Sequence, residues 1–252
     1  MNQTKTNSMP SESIERQRKV FMFLKISKFL VITICFSLLA CTTQSQAVTE
    51  KYKYAKSSVK ITSKPNRRGK VFTTLFQYGR ILSLGKIGKW DIVEYKNKIA
   101  YVKSKCLTSK KPKYTIKSCP MSNSFKSYED YTCITSTGSP QYKLQHNKVH
   151  TDKRTGIRMV DDRYCVALGS YYAKKIGTKF DMIMKSGKVI KCILADQKAD
   201  SDTINNHRQH PDGSIAEFIV STRNLPRIVR RMGDISYVKP FKGKIKKIKI
   251  YK

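Results

Sequence analysis

Trp90-Asp91-Ile92-Val93-Glu94-Tyr95, Lys96-Asn97-Lys98, Ile99-Ala100-Tyr101-Val102: two apolar-polar alternations with a turn between them read as a β-hairpin. The pattern continues upstream. Val59-Lys60-Ile61-Thr62 alternates in the same way. Val71-Phe72-Thr73-Thr74-Leu75-Phe76 runs into a turn at Tyr78-Gly79, and Ile81-Leu82-Ser83-Leu84 runs into Gly85 and Gly88. Short strands this closely spaced predict a small all-β barrel over residues 52–108. Composition agrees. Of 252 residues, 14 are Tyr and 10 Phe against a single Trp, and aromatic and β-branched residues favour strands. A hydrophobic share of 39% is lean for one large core but sufficient for two small β domains.

Residues 109–124 hold Ser109-Lys110-Lys111-Pro112-Lys113 and Ser118-Cys119-Pro120, the composition of a linker. Beyond it, residues 125–252 return to strand-like runs at 164–168, 180–184, 189–194, 216–220 and 244–251. A short helix is expected at 224–232, with Pro226 in its first turn and Gly233 at its end. The fold class is therefore mainly β, with a small barrel followed by a second β-barrel domain.

The N-terminus carries Arg16, Arg18, Lys19, Lys25 and Lys28 ahead of an apolar run from Phe29 to Ala40. That run is short for a membrane span and has the layout of a signal peptide, placed at residues 1–47. Three outcomes stay open: cleavage after Ser45-Gln46-Ala47, lipidation of Cys41 within Leu38-Leu39-Ala40-Cys41, or an uncleaved anchor. Each places the rest of the chain outside the cytoplasm, secreted or associated with a cell wall. Five cysteines follow the segment, an odd number. Cys165 and Cys192, both in apolar runs, are either a disulfide or two buried thiols.

Net charge is +34, from 51 Lys and Arg against 17 Asp and Glu. Such a balance points to an anionic partner: a wall polymer, a lipid surface or nucleic acid. A Lys-, Ile- and Asn-rich composition would raise Glu as well, yet Glu is scarce. The charge is spread along the chain, with no basic recognition helix or base-stacking motif, so nucleic acid is the least favoured. Membrane contact is expected only through the signal segment or a lipid anchor.

Residues 52–108 resemble a bacterial SH3 (SH3b) domain. Val59-Lys60-Ile61-Thr62-Ser63-Lys64-Pro65 stands for its opening motif, Tyr78-Gly79 for its Gly-led turn, Trp90-Asp91-Ile92-Val93 for its Trp strand, and Ala100-Tyr101-Val102 for its closing motif. It departs from the pattern at Lys60, Thr62 and Ala100. The resemblance implies binding of peptidoglycan and anionic wall polymers. Tyr54, Trp90, Tyr95 and Tyr101 are the candidate contact rings; Trp90 and Tyr101 would equally serve as barrel core.

Residues 165–220 resemble the 3D domain of wall-active proteins, a double-psi β-barrel named for its aspartates. The matching pieces are Val166-Ala167-Leu168-Gly169, Ile176-Gly177-Thr178-Lys179-Phe180, Ile193-Leu194-Ala195-Asp196 and Gly213-Ser214-Ile215-Ala216-Glu217-Phe218. Gly169 stands where the first aspartate would be and Glu217 where the third would be. The resemblance implies peptidoglycan cleavage of the lytic transglycosylase or glycosidase kind, with Asp196 and Glu217 as catalytic acids of raised pKa. Asp196 as a simple turn cap, in a non-catalytic wall-binding or adhesion protein, is the competing reading.

The loop from Asp200 to Asp212 gathers Asp200, Asp202, Asn205, Asn206, His207, Arg208, His210 and Asp212. Without apolar periodicity it reads as a solvated loop, in which His207 and Arg208 could grip glycan hydroxyls or phosphates. His207 and His210 lack one-face helical spacing, and His146 and His150 fall in polar surroundings, so no metal and no other cofactor is expected. Neither a G-x-S-x-G nor a Gly-rich phosphate loop occurs.

Overall fold

A computed structural model describes residues 51–252, so the expected signal segment at 1–47 and the candidate lipidation site Cys41 lie outside the described residues. The described chain is mainly β and forms two sheets within one compact unit. Among the described residues, no helix is long and apolar enough to cross a membrane.

The first sheet contains β1 (Lys51–Ala55), β2 (Val59–Thr62), β3 (Val71–Leu75), β4 (Arg80–Ile87), β5 (Trp90–Tyr95), β6 (Lys98–Lys103) and β7 (Leu107–Thr108). Their order is β3-β2-β6-β5-β4-β1-β7, with every pairing antiparallel. The β5–β6 hairpin turns on two residues, Lys96 and Asn97, both at positive φ (50° and 61°), a combination that matches the twist of the flanking strands. Val59, Ile61, Ile81, Val93, Ala100, Val102 and Leu107 fill the interior. Asp91 is buried beside them. It accepts from the Lys53 ammonium and from Ser83 Oγ at 2.7 Å. Burial works against its charge, yet these partners hold the carboxyl below its ordinary range.

The second sheet contains β8 (Tyr114–Ser118), β9 (Tyr128–Asp130), β10 (His150–Thr151), β11 (Arg158–Val160), β12 (Arg163–Leu168), β13 (Lys179–Met184), β14 (Val189–Gln197), β15 (Glu217–Val220) and β16 (Ile245–Tyr251). The path runs β10-β11-β12-β14-β13-β16-β8, with β15 also on β12 and β9 on β15. β12 runs parallel to β14, and β15 parallel to β9. The stretch 109–124, expected to be a linker, thus contributes a sheet strand: β8 pairs with β16, Tyr114 opposite Tyr251.

Two helices accompany this sheet. α1 (Pro140–Asn147) begins at Ser139, whose Oγ accepts from Tyr142 N at 3.1 Å, with Pro140 in the first turn. α2 (Arg227–Met232) ends on Gly233 at φ 65°, whose N–H returns to Val229 O at 2.8 Å. The helix expected at 224–232 starts later because residues 222–224 form a separate 3-10 turn.

One face of the second sheet buries Phe180, Met182, Leu194, Phe218, Phe241 and Ile248. The other carries a smaller cluster, Cys165, Ala167, Ile193, Ala195 and Ile219, against which Leu144 of α1 packs. Cys165 and Cys192 fall on opposite faces of neighbouring strands, so both are free thiols rather than a disulfide. Burial pushes the Cys165 thiol up to about 12, which leaves it inert.

A buried ion pair braces the sheet. Arg163 Nη1, on β12, reaches Asp181 Oδ1 (2.9 Å) and Phe180 O (2.8 Å) on β13, and Cys192 O (3.2 Å) on β14. Tyr251 Oη donates to Asp181 Oδ2 at 2.6 Å. Tyr78, held at φ 67° in the β3–β4 turn, stacks on the Tyr251 ring with centroids 4.4 Å apart. Lys179 Nζ donates to Gln77 Oε1 at 2.7 Å in the same turn. The two sheets are therefore docked through the turn at 77–79. Asp181→Ala removes the charge partner of a buried guanidinium and should cost about 3–5 kcal/mol in urea unfolding. A loss under about 1 kcal/mol would mean the pair carries no such role.

Lys126 is fully buried, its ammonium donating to Ser124 O (2.8 Å) and Gly243 O (2.7 Å). Burial lowers its pKa from 10.5 to about 8, partly offset by Asp234. Between those values the unfolded chain holds a proton that the folded chain has lost, so this group adds stability as pH rises through the window. The stability difference between wild type and Lys126→Met should therefore move in favour of wild type by about 3 kcal/mol from pH 8 to pH 10.5. A difference that stays flat with pH would show that Lys126 remains protonated throughout.

Candidate functional site

Asp196 is the penultimate residue of β14 and Glu217 the first of β15. Both stand opposite Ala167 of β12, one on each side, the β12–β14 register slipping at this point. Directly paired residues share a face, so both carboxylates project from the face that α1 covers. Glu129 joins them: β9 lies beside β15 with Glu129 opposite Ile219, two residues beyond Glu217 and on its face. Three strand positions thus bring together three acids that are far apart in sequence.

All three are half-buried. Burial raises the Asp196 pKa, and the Glu217 charge adds to the rise; the Gln197 N–H (2.7 Å) and the Gln141 side chain, on α1, act the other way. Glu129 is raised by burial first, then by Asp196 and Glu217, with Lys198 opposing. Glu217 Oε2 lies 3.2 Å from the buried Lys198 ammonium. The neighbouring carboxyls therefore have different environments: Asp196 is biased toward its protonated form, and Glu217 is ion-paired. A raised acid beside a paired carboxylate is an arrangement suited to proton donation. Glu129, Lys198 and Gln141 were not singled out from the sequence. The only hint was Glu129 itself, a glutamate in a chain where glutamate is scarce.

The loop at 200–212 closes against the turn after β12. Ser170 Oγ donates to Asp200 Oδ1 at 2.6 Å, and His207 Nδ1 lies 3.0 Å from Thr203 Oγ1 and 3.4 Å from Asp200. His210 Nδ1 lies 3.0 Å from Asp212 Oδ2. The two histidines therefore belong to separate local pairs. Among the described residues no group of three His, Cys, Asp or Glu could hold a metal ion. Arg208 instead lies over the Tyr171 ring at 4.3 Å. At Gly169 a Cβ would sit 2.0 Å from the His207 carbonyl oxygen. The backbone at His207 thus leaves no room for a side chain at this position, which explains the glycine.

The four candidate rings of the first sheet do not form one patch. Tyr95 faces inward and stacks on Phe72, centroids 6.3 Å apart. Trp90 and Tyr101 share the outer face, Trp90 opposite Lys103 and Tyr101 opposite Ile92. They are flanked by Ile87 and Ile99, 48% and 43% exposed. Tyr54 pairs with Arg80, at the other end of β4 from Ile87, the partner of Trp90. Of the four, only Trp90 and Tyr101 can contact one ligand as neighbours.

The chain matches no family model, no curated protein and no solved structure.

Gly169→Ala should displace the His207 carbonyl and cost about 2 kcal/mol, read by chemical denaturation, with altered amide signals across 200–212. An unchanged midpoint would show that the loop yields without cost.

Proposed function

We propose that this chain is an exported, wall-associated protein. Its first sheet, read as an SH3b-like barrel, holds peptidoglycan and anionic wall polymers. Its second sheet, read as a double-psi-like barrel, cleaves glycan in the manner of a lytic transglycosylase. The observation that supports cleavage is the contrast between Asp196 and Glu217 on either side of Ala167: a raised acid, and a carboxylate paired with Lys198.

In this reading Asp196 donates its proton to the glycosidic oxygen as the glycosidic bond breaks, and its carboxylate then takes the proton of the sugar's own hydroxyl as that oxygen bonds to the anomeric carbon, giving an anhydro-sugar end and restoring the acid. Proton transfer from a positioned acid accounts for about 10²–10⁴-fold in rate. Glu217 favours the protonated donor through its charge, and Lys198 holds Glu217 in place. Wall binding is assigned to the outer face of β5 and β6, where Trp90 and Tyr101 offer flat rings with Lys103 beside them.

A second reading, a wall-binding protein without catalysis, is favoured by one observation. The His207 carbonyl fills the space that the first aspartate of the 3D motif would need at Gly169.

The full chain incubated with purified peptidoglycan, and its soluble products examined by mass spectrometry, separates the two. Cleavage predicts anhydro-muropeptides, a fall of 100-fold or more in Asp196→Asn, and a rate that declines as pH rises through the raised Asp196 pKa. Sedimentation with the wall and no released fragments would leave the binding reading.

A further inference from the structure

The second sheet also holds two cations against one aromatic ring. Lys117, on the edge strand β8, and Arg208, in the loop after β14, both lie on Tyr171, with Lys117 Nζ and Arg208 Cζ each 4.3 Å from the ring centroid. The Lys117 ammonium also donates to the Tyr171 carbonyl. The π-system of the ring attracts each cation, but it supplies no countercharge. Among the described residues neither cation forms an ion pair, and Arg208 Nε is buried with no hydrogen-bond partner. Burial lowers the Lys117 pKa, and the Arg208 charge lowers it further. Like charges brought close on a partly dry surface are unfavourable unless something neutralises them.

The backbone that places Arg208 is itself unusual. Asn205, Asn206 and His207 are three consecutive left-handed residues, at φ 55°, 57° and 58°. Their turn is closed by Arg208 N to Ile204 O (3.1 Å) and Ile204 N to Gln209 O (2.8 Å). Left-handed non-glycine residues cost about 1 kcal/mol or more each, and such strain persists where surrounding structure fixes it. Here the fixing contact is the close approach of the His207 carbonyl to Gly169. The loop is thus held in a strained form that delivers a guanidinium to Tyr171.

We infer that Lys117 and Arg208 form a binding site for the oxyanion of a phosphate group. A guanidinium offers paired N–H donors that match two phosphate oxygens, and the ammonium adds a point charge. The bound anion would accept from the terminal amines of Arg208 and relieve the repulsion between the cations. The site is built from residues other than the carboxylate cluster and holds whether or not glycan is cleaved.

The full chain is titrated with inorganic phosphate by calorimetry at low ionic strength. The expected result is one saturable site, weakened at least tenfold in Arg208→Gln and in Lys117→Gln and less in Arg208→Lys. Because a strongly basic chain attracts phosphate diffusely, Lys188→Gln, at an exposed lysine, serves as the control and should bind unchanged. Equal loss in Lys188→Gln and Arg208→Gln, or no saturable binding, overturns the proposal. Should Arg208→Gln fail to fold, Arg208→Lys retains the charge, and its loss of affinity reads out the missing fork. A parallel titration with a soluble polyglycerol phosphate separates the sources. Tighter binding that still depends on Arg208 identifies a polymer phosphodiester, and binding no tighter than inorganic phosphate identifies a free phosphate.

Discussion

The buried Arg163–Asp181 pair is the constraint on which the two-sheet arrangement depends. A charged nitrogen in a sheet interior must have its donors met, and Arg163 Nη1 faces a carboxylate oxygen and two carbonyls drawn from β13 and β14. That requirement fixes the lateral relation of three strands. The remaining oxygen of Asp181 then accepts from Tyr251, which orients the ring that Tyr78 covers. A charge pair inside one sheet thus sets the seat for the other. The positive φ at Tyr78 marks the local strain accepted at that seat.

The carboxylate cluster follows from the same topology. β12 is bordered on one side by β14, in parallel, and on the other by β15. Parallel pairing lets strand ends that are remote in sequence meet at one level, which places Asp196 and Glu217 about Ala167. The half-covered position supplies what acid chemistry needs: enough burial to disfavour charge, and enough exposure to admit a substrate. Lys198 keeps the cluster from accumulating uncompensated negative charge.

Much of the strand pattern was legible because alternation is local. The runs at 164–168, 180–184, 189–194 and 244–251 needed only their own residues to be read, and each falls on a strand. β8 was not, since Tyr114-Thr115-Ile116-Lys117-Ser118 lies between Pro112 and Pro120 in a polar stretch, and its strand character comes from pairing with β16. α1 was missed because its sequence, Pro-Gln-Tyr-Lys-Leu-Gln-His-Asn, has no apolar stripe; it covers the sheet with little more than Leu144. Asp196 and Glu217 were reached through a resemblance to a motif, whereas Glu129 required knowledge of the parallel β9–β15 pairing. The aromatic residues show the opposite limit. Alternation placed them on strands, but only register separates inward Tyr95 from outward Trp90.

The position of β16 has a consequence for the order in which the molecule assembles. In the first sheet three of the six pairings, β2–β3, β4–β5 and β5–β6, join strands consecutive along the chain, so those loops close early and at small entropic cost. In the second sheet β8 has no partner other than β16, and nearly the whole module intervenes between them. Until β16 arrives, β8 is an unpaired strand and β13 lacks one neighbour, leaving backbone donors and acceptors open to other chains. Lysine-rich edges lower that risk: Lys246, Lys247 and Lys249 on β16 and Lys117 on β8 repel a second copy while the sheet is incomplete. The basic composition thus protects a late-closing sheet from aggregation.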